Sequence, residues 1–141
     1  MADYLNRADV RAALNIPQIV QGWEGCSSNP LFNYPFSYEA SIWIYEVLRP
    51  YGYQMMHYSG DTDGVVPTLG TRRWIEKLNW PVTSAWQPWT SNGQISGYTQ
   101  TYGSFSFVTI HGVGHMAPQW KRYDTQQMIL KYIHGESYLT N

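Results

Sequence analysis

A membrane-crossing helix needs roughly 18 consecutive apolar residues, and no run in this 141-residue sequence approaches that length. The first twenty residues also lack the apolar core of a secretory leader. Taken literally that start reads as cytosolic, and it reads the same if the chain is the carboxy-terminal portion of a longer one. Charge of one sign is missing too. Nine Lys and Arg stand against ten Asp and Glu, for a net charge of -1, and no basic run is long enough to track a phosphate backbone, so nucleic acid is a poor partner. Cysteine occurs once, as Cys26. A single cysteine reads first as a buried free thiol, while in a secreted protein an odd cysteine asks for a partner elsewhere. No Asn-x-Ser/Thr acceptor is present, so glycosylation lends secretion no support. Repeats and low-complexity stretches are also lacking.

What is plentiful is aromatic surface. Phe, Trp and Tyr make up 16% of the chain, with 7 Trp and 12 Tyr, a load that suits a packed domain with wide apolar contacts. The length allows one core, or a large piece of one.

The periodicities alternate. Asn6 to Asn15 places Val10, Ala13 and Leu14 on one helical face, with Asn6 as its cap. Residues 16 to 38 are broken by five Pro and Gly residues and read as irregular. Ser37 to Arg49 resumes helical spacing, closed by Pro50 and Gly52. The run YQMMHYSG predicts a strand ending at Gly60. Thr68 to Leu78 predicts a helix whose apolar side carries Leu69, Trp74, Ile75 and Leu78. Thr83 to Trp89 predicts a further strand, and GYTQTY and SFSFVTI predict a hairpin about Gly103. Gln119 to His134 predicts the last helix, stopped by Gly135. This order is that of an α/β protein.

Near the end, Gly135-Glu136-Ser137-Tyr138 has the lettering of a nucleophile elbow. Such an elbow is a strand-to-helix turn that needs small residues two places before and two places after the serine. Gly135 meets the first condition and Leu139 fails the second, so Gly135 reads as a helix terminator and Ser137 not as a nucleophile.

Two strand exits carry more chemistry. Gly60-Asp61-Thr62-Asp63 follows one predicted strand, and Gly112-Val113-Gly114-His115 follows another. Ligands of open α/β sheets bind at the carboxyl edge. There an acid on one exit can orient an imidazole on the next and stabilise its protonated form. Either residue alone has a plainer account, the aspartates as turn residues bonding their own backbone, and His115 as a satisfied histidine, like His57, His111 and His134. Acid then histidine, both at Gly-flanked strand exits, shifts the balance toward the second and third members of a triad.

YLNRADVRAALN, WEGC at Trp23 to Cys26, YSGDTDGVVP, WQPW, ISGYTQTYGSFSFVTI and HGVGHMAP occur in the same order as in the serine carboxypeptidases, and the chain resembles the carboxy-terminal third of such an enzyme. The resemblance covers nearly all of it. It implies the carboxy-terminal part of an α/β-hydrolase fold, a central mixed sheet flanked by helices. Residues 1 to 141 would be one segment of a single domain, completed by a separate amino-terminal chain as in the two-chain plant members. Carried over by motif, the triad acid is Asp63 and the triad histidine His115. Met116, the next residue, lines the pocket for the leaving residue, and its thioether favours apolar leaving groups. Cys26 corresponds to a cysteine that bonds to the amino-terminal chain, which implies an oxidising compartment: vacuole, lysosome or exterior. The serine, its GESYAG surroundings and the oxyanion glycines belong to the part not in this sequence. Lys121-Arg122 departs from the family's usual proline there, so the start of the last helix is expected to differ.

The implied partners are that amino-terminal chain, disulfide-linked through Cys26, and a peptide substrate, with room for a dimer of such heterodimers and none for nucleic acid or membrane. No cofactor and no metal is implied. The same triad also serves the family's acyltransferase and hydroxynitrile lyase relatives, and a non-catalytic binding or structural module retaining a half-site is the third reading.

Overall fold

The computed structural model describes residues 1 to 26 and 41 to 138. It divides into two compact units, Met1–Tyr38 and Glu39–Asn141.

In the first unit the expected helix of Asn6 to Asn15 is two short helices, α1 (Ala2–Leu5) and α2 (Ala8–Ala13). Asn6 does not cap α2. It closes α1, and its side chain is engaged elsewhere: Nδ2 donates to the Trp23 carbonyl at 2.9 Å, and Oδ1 accepts the Trp23 N–H at 2.6 Å. Arg7 then turns extended and restarts the helix. A long-range bond has overridden a local cap.

In the second unit a helix, α3 (Ile42–Leu48), runs into a 3₁₀ turn, Arg49–Tyr51, closed by Gly52 in the left-handed region. The start expected at Ser37 lies outside the described residues. Strand β1 (Met55–Gly60), helix α4 (Thr68–Lys77), strands β2 (Ser84–Ser91), β3 (Gln94–Tyr102) and β4 (Phe105–Ile110), and helices α5 (Ala117–Trp120) and α6 (Arg122–His134) complete it. The four strands form one mixed sheet in the order β1-β4-β3-β2, parallel between β1 and β4 and antiparallel elsewhere. The hairpin expected about Gly103 is the β3/β4 pair.

Alternation along the strands sends side chains to two faces. Phe105 and Phe107 of β4 pack with Met55, Ile75 of α4 and Tyr102 on one face, where Tyr45, Leu48 and Trp74 join them. Val108 and Ile110 of the same strand pack on the other face with Trp89, Ala117, Met128 of α6 and Tyr138. The sheet is thus covered on both sides, as its parallel pair requires. Each fully buried large side chain here is worth roughly 1.5–3 kcal/mol over its exposed state.

Gly97 allows one close contact. A Cβ there would lie 1.8 Å from the Thr109 carbonyl oxygen, the same oxygen that accepts the buried Trp89 indole N–H at 2.9 Å. The last helix is broken at Lys121: α5 ends at Trp120, Lys121 leaves helical geometry, and α6 begins at Arg122. It stops at Gly135, φ 66°, as expected.

Candidate active site

Because β1 and β4 are parallel neighbours, paired through Gly60 and Ile110 at their last residues, the chain leaves both strands at the same edge. The two exit loops are then laced together. The Asp61 N–H bonds the Ile110 carbonyl at 3.0 Å, and the Thr62 N–H bonds the Val113 carbonyl at 3.1 Å.

The carboxylates make the remaining connections. Asp63 Oδ1 accepts the backbone N–H of Val65 at 2.8 Å and of Val66 at 2.9 Å, an Asx-type turn, while Oδ2 lies 3.0 Å from Nδ1 of His115. One Asp63 oxygen thus serves the local turn and the other meets the His115 ring. An ionised carboxylate can only accept, so His115 carries its proton on Nδ1 and keeps Nε2 free as a base. The Asp63 side chain is 7% exposed and that of His115 57%, so the acid is sheltered and the ring open to a reacting group. The Val66 N–H does most to hold the Asp63 carboxyl below its ordinary value. Removal from water opposes it, and the bonds from His115 and Val65 act in the same direction as Val66.

Met116 follows, 52% exposed, at the start of α5; buried Ala117 anchors that turn in the core. Cys26 is an exposed free thiol in the first unit, not a buried one. Ser137 lies past the end of α6, where Lys131 Nζ donates to its carbonyl at 3.3 Å; among the described residues it follows a helix, not a strand. Among the described residues no group of three or more His, Cys, Asp or Glu side chains could hold a metal ion, and no helix is long and apolar enough to cross a membrane.

Sequence reasoning left Asp61 as an ordinary turn residue and His111 as a satisfied histidine. His111 is satisfied, and by Asp61: its Nδ1 donates to Asp61 Oδ2 at 2.7 Å, and Asp61 Oδ1 accepts the Gly112 N–H at 2.8 Å. The spacing was a signal, since Asp61 and Asp63 are two apart and His111 and His115 four apart, giving two acid-imidazole pairs. On the other side of His111 a cleft of about 310 Å³ is lined by Ser91, Ser96, Lys121 and Asp124. Its polar groups already serve one another, Asp124 Oδ1 accepting from Ser91 Oγ at 2.5 Å and Ser96 Oγ at 2.8 Å.

Comparison with known proteins places this arrangement in context. Residues 1–135 match the family model described as serine carboxypeptidase. Serine carboxypeptidase-like 32 of Arabidopsis thaliana is 37% identical, over 94% of this chain and 29% of its own length. Serine carboxypeptidase-like 26 of Oryza sativa subsp. japonica is 34% identical over 99% of this chain and 30% of its own, and serine carboxypeptidase 24 of Arabidopsis thaliana 37% over 82% and 25%. The chain spans less than a third of the length of these relatives.

Proposed function

This chain belongs to the serine carboxypeptidase family, and from that premise we propose that it supplies the acid and the base of a serine-type carboxypeptidase. The reaction is hydrolysis of the carboxy-terminal peptide bond. The observation that carries the reading is the 3.0 Å contact of Asp63 Oδ2 with His115 Nδ1, made while the other Asp63 oxygen is held by two backbone N–H groups.

In the proposed mechanism a serine on the amino-terminal portion attacks the last peptide carbonyl. His115 Nε2 takes its proton and then delivers it to the departing amino acid; a water attacking the acyl-enzyme repeats the exchange. Asp63 holds the ring in the required tautomer and stabilises the imidazolium as it forms. Met116 gives the leaving-residue pocket an apolar wall.

The companion is the amino-terminal portion of the same enzyme, joined through Cys26, in a vacuole, a lysosome or outside the cell, with residues 1 to 141 completing one α/β-hydrolase domain. Support comes from surfaces that ask for cover. β1 ends the strand order with a free edge among the described residues, and α3 exposes Trp43 at 55% and Val47 at 53%. The exposed Cys26 thiol is open to a bridge.

The test uses the assembled enzyme. It should release carboxy-terminal residues from peptides and be labelled by a serine-directed phosphonate. The assembly carrying His115→Ala should hold its companion and lose turnover, and reduction should separate the two chains on a gel. Acyl transfer to an alcohol, or cyanohydrin cleavage, without peptide cleavage would move the assignment to another chemistry of the family. A 141-residue chain that is monomeric, stably folded and free of any companion would end the enzyme reading.

A further inference from the structure

His115 sits on a segment with little stiffness of its own. Between the end of β4 at Ile110 and α5 at Ala117 the chain passes Gly112 and Gly114, and Gly112 is in the left-handed region at φ 69°. Glycines give that turn its shape and leave it loose. Asp63 is fixed from its own side by the Val65 and Val66 N–H groups. The contact between them therefore depends on what holds the 111–115 segment against the 60–63 loop.

One backbone bond does so, from the Thr62 N–H to the Val113 carbonyl at 3.1 Å, and one side chain spans both loops. The Asp61 carboxylate takes the Gly112 N–H on Oδ1 at 2.8 Å and the His111 Nδ1–H on Oδ2 at 2.7 Å. The His111 backbone is pinned in turn, its N–H bonding the Ser96 carbonyl of β3 at 2.8 Å. The Asp61 side chain is 26% exposed, so the bonds are partly shielded, and bonds to an ionised acceptor are the stronger kind.

The inference rests on the catalytic reading of Asp63 and His115. We propose that Asp61 is a positioning residue, which by clamping His111 and Gly112 sets where His115 stands relative to Asp63. Asp61 acts through the loop and has no part in proton transfer. His111 is the clamp's second jaw.

The test is made in the enzyme assembled with its amino-terminal portion, this chain carrying nitrogen-15 in its four histidines. Two readouts are taken: kcat and KM on a peptide substrate, and the nitrogen-15 shifts of the His115 ring at a pH where it is neutral, which report its tautomer. For Asp61→Ala, kcat should fall about 10- to 100-fold, the scale of a small misplacement of reacting groups, with KM within about twofold. His115 should also lose its preference for the proton on Nδ1. Asp61→Asn, which can still accept from Gly112 and donate to a His111 Nδ1 free of its proton, should recover most of both. If Asp61→Ala does not assemble, His111→Ala removes one of the two bonds and should move kcat and tautomer the same way by less.

Unchanged kcat and tautomer in Asp61→Ala, or in its substitute His111→Ala, would overturn the positioning role, as would a change confined to KM. The Asp63→Asn assembly separates the two readings: if its turnover is lost while Asp61→Ala is silent, only the clamp fails. If Asp63→Asn keeps full turnover, the catalytic reading itself fails.

Discussion

Gly60 and Gly114 lie backbone against backbone: a Cβ added at Gly60 would fall 2.4 Å from the Gly114 carbonyl oxygen and 2.4 Å from that of Val113. Real Cβ atoms do not approach so closely, and backbone cannot swing aside as a side chain can. The end of β1 and the loop carrying His115 are therefore spaced for a hydrogen atom at this position.

Gly60→Ala should force the two loops apart. Overpacking of this kind costs about 1–3 kcal/mol, read as a lower urea midpoint. Turnover in the assembled enzyme should fall more than stability does, because the Thr62 to Val113 bond and the Asp63 to His115 contact lie on the displaced segments. A variant with wild-type kcat would show that the loops adapt.

Asp63→Asn should preserve the loop and spoil the base. The amide oxygen can still accept from Val65 and Val66, but it then turns its NH₂ toward His115 Nδ1, which must accept. The ring proton moves to Nε2, where the free base is needed. Turnover should drop on the order of a thousandfold or more while the chain still folds and assembles. Retention of activity would remove Asp63 from the mechanism.

Asp63 also predicts how acid acts. Its carboxyl is held below the ordinary value of 3.8, foremost by the Val66 N–H, so the folded chain binds its proton less readily than the unfolded chain. The sign follows: its contribution to stability is complete above about 3.8 and is lost as pH falls through the lower folded value. The stability difference between wild type and Asp63→Asn should be flat from neutral pH down to that region and shrink below it. A difference already shrinking well above it contradicts the account.

His57 works at a higher pH. Burial holds its ring below the ordinary 6.5, with Trp74 5.1 Å away, edge-on, and its Nδ1 3.0 Å from the Tyr45 hydroxyl. The unfolded chain takes up the proton first, so stability is greatest above 6.5 and declines as pH falls below it toward the folded value. Urea midpoints measured against pH should show this slope in the wild type and a flatter one in His57→Gln. Parallel slopes would refute it.

Local pattern carried much of the fold. A short apolar run ending at Gly60 marked β1, and strand-forming runs on either side of Gly103 marked the β3/β4 hairpin. Gly135 marked the end of α6, because a left-handed residue is cheapest as glycine. That aspartates and a histidine stand at Gly-flanked strand exits was legible in the chain, whereas the choice of Asp63 over Asp61 came from the family resemblance.

Three things were not legible locally. Asn6 looked like a cap, and only the fold brings Trp23 within its reach. The pairing of β1 with β4 joins segments 50 residues apart, Met55 with Phe105, and nothing in either strand names its partner. Asp61 looked like a second turn aspartate, whereas its two acceptors meet a ring and an amide from a loop some fifty residues on. Sequence by itself determined which segments are helix or strand and which carboxylates and imidazoles stand at strand exits, because those depend on neighbours within a few residues. Only the tertiary structure decided which acid faces which ring, because a hydrogen bond is made at about 3 Å and that distance is set by the parallel register of two strands far apart in the chain.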